Sequence, residues 1–229
     1  MTGLLGISFV VACGSSSDET TSSVVPSSVQ SNAPTTAVST SVATTSTLPP
    51  TTLPPTTSIP DPTSTVLFDF SNQDATSDWF NQNDTVMGGV SDSTTTWIDG
   101  HLIFSGDLSL DNNGGFTSTF GPINDQLPTL MSGAESIIVT ARGDGKTYLM
   151  QIRNYDNTRY IQRFTTVADV EQDYVLPLAD FESVDWRLSV IPNAAPIDTT
   201  TIGQLGFYLL DKQVGPFEIA ISSIKTSIN

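Results

Sequence analysis

From Val66 onward, apolar residues recur at every second position in short stretches broken by clusters of Gly, Asn and Asp. Two is the side-chain period of a β-strand, so this pattern constrains the fold more than any other feature of the chain. Thr94 to Ile98 and His101 to Gly106 flank Asp99-Gly100, a pair that signals a two-residue hairpin. Further strands are expected at Val66 to Phe70, Phe116 to Phe120, Ser136 to Ala141, Lys146 to Arg153, Tyr160 to Thr165, Tyr174 to Leu178, Ile202 to Leu210 and Phe217 to Ile221. Residues 121 to 133 read as a loop, and no long helical period competes. Strands at this spacing predict an all-β sandwich. Ser136 to Ala141 is expected to pair with Lys146 to Arg153 across Asp144-Gly145.

Two turns stand out. One is Asn83-Asp84-Thr85-Val86-Met87-Gly88-Gly89-Val90-Ser91, and the other is Asp111-Asn112-Asn113-Gly114-Gly115-Phe116. Asn, Asp and Gly tolerate positive φ, and paired glycines let backbone approach backbone. Val86, Met87, Val90 and Phe116 adjoin the glycines, so both turns are expected to be packed and to share one edge of the domain.

The same residues carry a family resemblance. Asn83, Asp84, Met87, Gly88, Gly89 and Ser91 form its first block, and Asn113, Gly114 and Gly115 its second. Gly143-Asp144-Gly145 before Tyr148 follows, then Asp211, Gly215, Pro216 and Phe217. In this order, over residues 66 to 225, these blocks resemble the CIA30 family of complex I intermediate-associated proteins. The resemblance implies a jelly-roll sandwich similar to galactose-binding and carbohydrate-binding modules. It departs at one place. Family members carry an Arg-Gly pair after the Phe of the long connection, where this chain reads Phe181-Glu182-Ser183-Val184-Asp185-Trp186-Arg187.

The first quarter of the chain obeys different rules. Leu4 to Ala12 is an apolar run too short to span a bilayer, and it reads as the core of a secretory signal. Val10-Val11-Ala12-Cys13-Gly14 resembles a bacterial lipobox, in which the cysteine is diacylated, and Cys13 is the chain's single cysteine. Residues 13 to 63 are rich in Ser, Thr and Pro, have no amphipathic period and are expected to be disordered. At ~3.1 Å per residue, ~50 such residues reach on the order of 100 to 150 Å when extended. The expected organisation is a signal at 1–12, a lipidated linker at 13–63 and one β-sandwich at 64–229. The expected location is the extracytoplasmic face of a bacterial membrane, held there by the lipid anchor alone.

Charge and composition narrow the partners. The net charge is −16, with 24 acids against 8 bases. So large an acid excess opposes nucleic acid, which is bound through clustered cations. The one histidine, His101, has no Ser-His-Asp order around it, and no His/Cys metal spacing is present. No catalytic residue is assigned.

Ligand chemistry is sought on the middle strands instead. Counting by two, Leu149, Gln151 and Arg153 face one way, and Tyr148, Met150 and Ile152 the other. Gln151, Arg153 and Tyr160 are the candidate ligand-binding residues, offering an amide, a guanidinium and a ring. Acids in the turns suggest a structural Ca²⁺, with Asp84 and Asp111 as its first candidate ligands. The function expected is a non-catalytic module recognising a protein or a cell-surface glycan. The alternative is an assembly factor for a membrane complex of the respiratory complex I type.

Overall fold

The computed structural model describes residues 64–228. Cys13 and the Ser/Thr/Pro stretch lie outside the described residues. Twelve strands make two six-stranded sheets, and every strand pairing within them is antiparallel.

The first sheet is built on β12 (Gly215–Ser227). One edge of β12 pairs with β4 (His101–Leu108) and then, further along, with β1 (Ser64–Asp69). Its other edge pairs with β6 (Ser136–Arg142). Outside these lie β3 (Asp92–Ile98), on β4, and β9 (Glu171–Pro177), on β6. The second sheet has the order β10 (Glu182–Val184), β8 (Arg159–Thr165), β7 (Thr147–Asn154), β11 (Ile202–Leu209), β5 (Thr117–Phe120), β2 (Phe80–Asn81).

The inner faces of the two sheets meet in one core. Phe70, Phe104, Ile219 and Ile221 of the first sheet and its flank face Tyr148, Met150, Ile152 and Phe207 of the second, all fully buried. Trp79 binds the layers through edge contacts with Phe68 and Phe70 and a stacked contact with Phe207 at 6.2 Å. The expected all-β sandwich is present. Asp99 (φ 47) and Gly100 (φ 84) make the two-residue turn, and Ile98 pairs with His101.

Three local expectations change. β6 does not pair with β7: it joins the first sheet, while β7 joins the second, so Gly143-Asp144-Gly145 is a crossing between layers. Asp144 holds that crossing by accepting hydrogen bonds from Lys146 N–H (3.0 Å) and Glu218 N–H (3.1 Å). β12 also runs six residues past Ile221. A register shift between Ile221 and Ser223 breaks its alternation, so Ile221 and Ile224 both face inward at a spacing of three. Finally, the expected loop at 121–133 contains one helical turn, α1 (Leu127–Leu130), with Leu127 buried beneath it.

Candidate functional site

The two glycine turns are joined by one carboxylate. Asp84 opens a short 3-10 turn and is 1 % exposed. Its Oδ1 accepts from Ser91 N–H (3.0 Å), and its Oδ2 accepts from Ser91 Oγ (2.5 Å), Gly115 N–H (2.6 Å) and Phe116 N–H (3.3 Å). Ser91 Oγ in turn accepts from Ser109 N–H at 2.9 Å, tying the end of β4 into the same network. Backbone completes the junction, with Asp84 N–H donating to Phe116 O at 3.3 Å. Burial would raise the Asp84 carboxyl, but the Ser91 hydroxyl and the Gly115, Ser91 and Phe116 N–H groups hold it below the ordinary carboxylate range.

Gly114 shows why the second turn needs glycine. Its φ is ordinary, but a Cβ there would sit 2.6 Å from Asp84 Oδ2 and 2.9 Å from Ser109 O. The turns therefore do share one edge, as the sequence suggests. Of their apolar neighbours only Phe116 is packed, against Tyr208. Val86, Met87 and Val90 are 66, 65 and 51 % exposed, because the turn is closed by polar bonds to Asp84 and needs no apolar seat.

The same geometry bears on the expectation of Asp84 as a calcium ligand. Both of its oxygens point at N–H and O–H donors, so a cation placed there would face the positive ends of those dipoles. Asp111 lies in the exposed 3-10 turn that follows β4. Among the described residues, no group of three or more His, Cys, Asp or Glu side chains is placed to hold a metal ion.

Asn83 and the last family block are also structural pins. Asn83 Oδ1 accepts from Ser93 Oγ at 2.7 Å. Asp211 (φ 63) and Gly215 (φ 98) turn the chain from β11 into β12, Pro216 pairs with Asp107, and Phe217 is buried edge-on to Phe104 at 5.0 Å.

The outer face of the second sheet brings rings, amides and guanidinium groups together. Strand register arranges it in three rows, successive rows being about 7 Å apart along each strand. The first row holds Tyr208, Leu149 and Arg163. The second holds Phe80, Phe120, Gly206, Gln151, Ile161 and Glu182. The third holds Gln204, Arg153, Arg159 and Val184.

Four rings cluster at one end. Phe120 lies 5.6 Å from Phe80 and 5.4 Å from Tyr208, and Phe116 lies 6.2 Å from Tyr208. Phe116 is the residue whose N–H the Asp84 junction holds, so the family motif positions one border of this face. Burial pushes the Tyr208 hydroxyl up to about 12, against the opposing pull of the Arg159 and Arg153 charges.

Gln151 and Arg153 share this face, as the alternation predicts. Gln151 is 2 % exposed and its Oε1 has no hydrogen-bond partner. Arg153 Nε donates to Asn157 Oδ1 at 3.0 Å, Nη2 reaches the same oxygen, and Nη1 donates to Gln204 Oε1 at 3.4 Å.

Tyr160 does not join them. The turn between β7 and β8 sets a register in which Tyr160 pairs with Ile152, and both side chains enter the core. Its hydroxyl donates to Pro196 O at 3.4 Å. Register across a turn is not visible in the alternation of either strand alone. Tyr208 takes the place expected of Tyr160.

Sequence reasoning passed over Arg159, and it met the loop after β10 only as a departure from the family pattern. Within that loop Leu188 packs on Leu149, Ile161 and Val184. Trp186 is 66 % exposed, with the Arg187 guanidinium 4.5 Å from its ring centre. The loop thus overlies one end of the outer face at the place where the sequence leaves the family pattern. His101 stands apart from this face, its Nε2 3.1 Å from Glu171 Oε1.

The family model of complex I intermediate-associated protein 30 (CIA30) matches residues 68–221. The chain belongs to the CIA30 family. Among solved structures, it is similar to the family 11 carbohydrate-binding module of a Clostridium thermocellum cellulosomal cellulase. The identity is 13 %, the TM-score 0.55, and the match covers 72 % of this chain and 95 % of that one. The Clostridium thermocellum module in complex with a β-1,3-1,4-mixed-linked tetrasaccharide matches at 14 % identity and TM-score 0.55, with the same coverage. An agarase, AgWH50C, matches at 13 % identity and TM-score 0.51, over 72 % of this chain and 25 % of that one. Comparison with curated proteins gave no match. These likenesses establish for the CIA30 domain a jelly-roll architecture common to carbohydrate-binding modules.

Proposed function

We propose that the CIA30 domain of this protein is a non-catalytic glycan-binding module, and that the outer face of its second sheet is the binding surface. The observation that carries this is the partnerless Oε1 of Gln151, held between a ring cluster and a row of guanidinium groups. A buried acceptor without a donor costs stability that a ligand hydroxyl would restore. Sugars supply such hydroxyls, and their C–H faces lie against rings such as Tyr208 and Phe116. The likeness to carbohydrate-binding modules supports the architecture needed for this role. In this proposal the domain is displayed outside the cell on the Cys13 lipid anchor, and the Ser/Thr/Pro stretch serves as its tether.

The test is a glycan-array screen of the full-length protein in mild detergent, followed by titration of the glycans retained. Tyr208→Ala is expected to lower affinity about tenfold while the protein still melts cooperatively. An array without a single retained glycan would refute the proposal.

The family description favours a second function, assembly of a membrane complex of the complex I type. Deleting the gene and measuring assembled complex I on native gels separates the two. Undiminished complex I leaves only the glycan proposal standing.

A further inference from the structure

The outer face contains a pairing that an isolated sandwich has no reason to keep. Arg153 and Arg159 sit directly opposite each other on β7 and β8. Like charges facing across a strand pair destabilise a sheet. This chain has 24 acids against 8 bases, so carboxylates are plentiful. Yet the ion pairs among the described residues are His101–Glu171 and Arg163–Asp211, and neither involves this arginine pair. Arg153 is held by the neutral amides of Asn157 and Gln204. Arg159 has no hydrogen-bond or ion-pair partner among the described residues. Even Asp156, in the adjoining turn, accepts from the Thr158 N–H at 2.9 Å and pairs with neither arginine.

Arg163 provides the contrast on the same face. Its guanidinium grips Asp211 with two bonds of 2.7 and 3.1 Å, and Glu182 stands nearby, so its charge is already answered. Two directly opposed arginines without a counter-ion, one row from a buried amide oxygen without a donor, match a ligand bearing both an anion and hydroxyl groups. Resting on the glycan-binding proposal above, we infer that the ligand is an acidic polysaccharide, its carboxylate or sulfate seated between Arg153 and Arg159 and a ring hydroxyl donating to Gln151 Oε1. Guanidinium groups suit both anions because their paired N–H donors match two oxygens at once.

The experiment titrates the full-length protein, in mild detergent, with four probes by calorimetry. These are an oligogalacturonate, its fully methyl-esterified form, a sulfated galactan oligosaccharide and the same oligosaccharide desulfated. One acidic probe is expected to bind at least about tenfold tighter than its neutral counterpart, and more weakly as salt rises. Which acidic probe wins distinguishes carboxylate from sulfate. Arg159→Gln and Arg153→Gln are each expected to lose about tenfold of that affinity, and Arg142→Gln, on β6 of the first sheet, less than about twofold, with melting temperatures confirming that each variant folds. Equal binding of charged and neutral probes, or array hits confined to neutral glycans, would overturn the acidic ligand and leave the glycan proposal intact. Absence of binding to all four probes and to every glycan of the array would overturn both.

Discussion

Replacing Asp84 by Asn keeps the side chain's volume and removes its charge and half of its acceptors. The four donors on Asp84 come from both sides, Ser91 on one and Gly115 and Phe116 on the other. An amide keeps one oxygen, and its NH₂ group meets head-on the donors of the oxygen it replaces, the Ser91 N–H at Oδ1 or the Gly115 and Phe116 N–H groups at Oδ2. At least one buried N–H therefore loses its acceptor, at about 1–3 kcal/mol, and the surviving bonds lose their charge assistance. The expected loss for Asp84→Asn is about 2–4 kcal/mol, a large part of the ~5–15 kcal/mol that holds a typical domain. Urea unfolding followed by tryptophan fluorescence measures it as a shift in midpoint at constant slope.

Acid provides an independent check. The folded carboxyl lies below its ordinary value, so its stabilisation is fully present above the unfolded value of about 3.9. That stabilisation disappears as pH falls through the folded value. The variant should accordingly lose less stability than the parent between about pH 5 and pH 2. An Asp84→Asn protein within about 0.5 kcal/mol of the parent at pH 7, with parallel acid profiles, would refute the argument that this carboxylate joins the two turns.

The glycines on either side should separate two causes. Gly88→Val is expected to cost more than about 1 kcal/mol, because φ is +92° there although the space is open, and thermal melts would show it. Gly114→Val should cost more than Gly88→Val, since its side chain must displace Asp84, and equal melting points would contradict that order. Cys13→Ala is expected to release the protein from membranes or leave it unprocessed, and unchanged fractionation with normal processing would remove the anchor. Calcium provides the last check. With both Asp84 oxygens facing donors, melting curves in Ca²⁺, Mg²⁺ and chelator should superimpose, whereas a rise specific to Ca²⁺ would place the ion on other carboxylates.

Local chemistry carried the strands and turns. Alternation with a period of two marks β3, β4 and β7 from sequence alone, and Asp99-Gly100 marks the hairpin between the first two, because each is decided within a few residues of backbone. The same holds for Leu149, Gln151 and Arg153, whose common face follows from counting by two. Tyr160 shows the limit of that rule: alternation says which residues of β8 share a face, and only the register across the preceding turn says which face. β6 and β7 make the same point, since a Gly-Asp-Gly turn serves equally for a hairpin or for a crossing, and the bonds to Glu218 and Lys146 choose the crossing. The Asp84 junction, the opposed Arg153 and Arg159, and the partnerless oxygen of Gln151 depend on side chains as far as 32 residues apart in the chain or on strands brought side by side. Hydrogen bonds and charge pairs act over a few ångströms of space, whatever the sequence separation, so packing alone decided them.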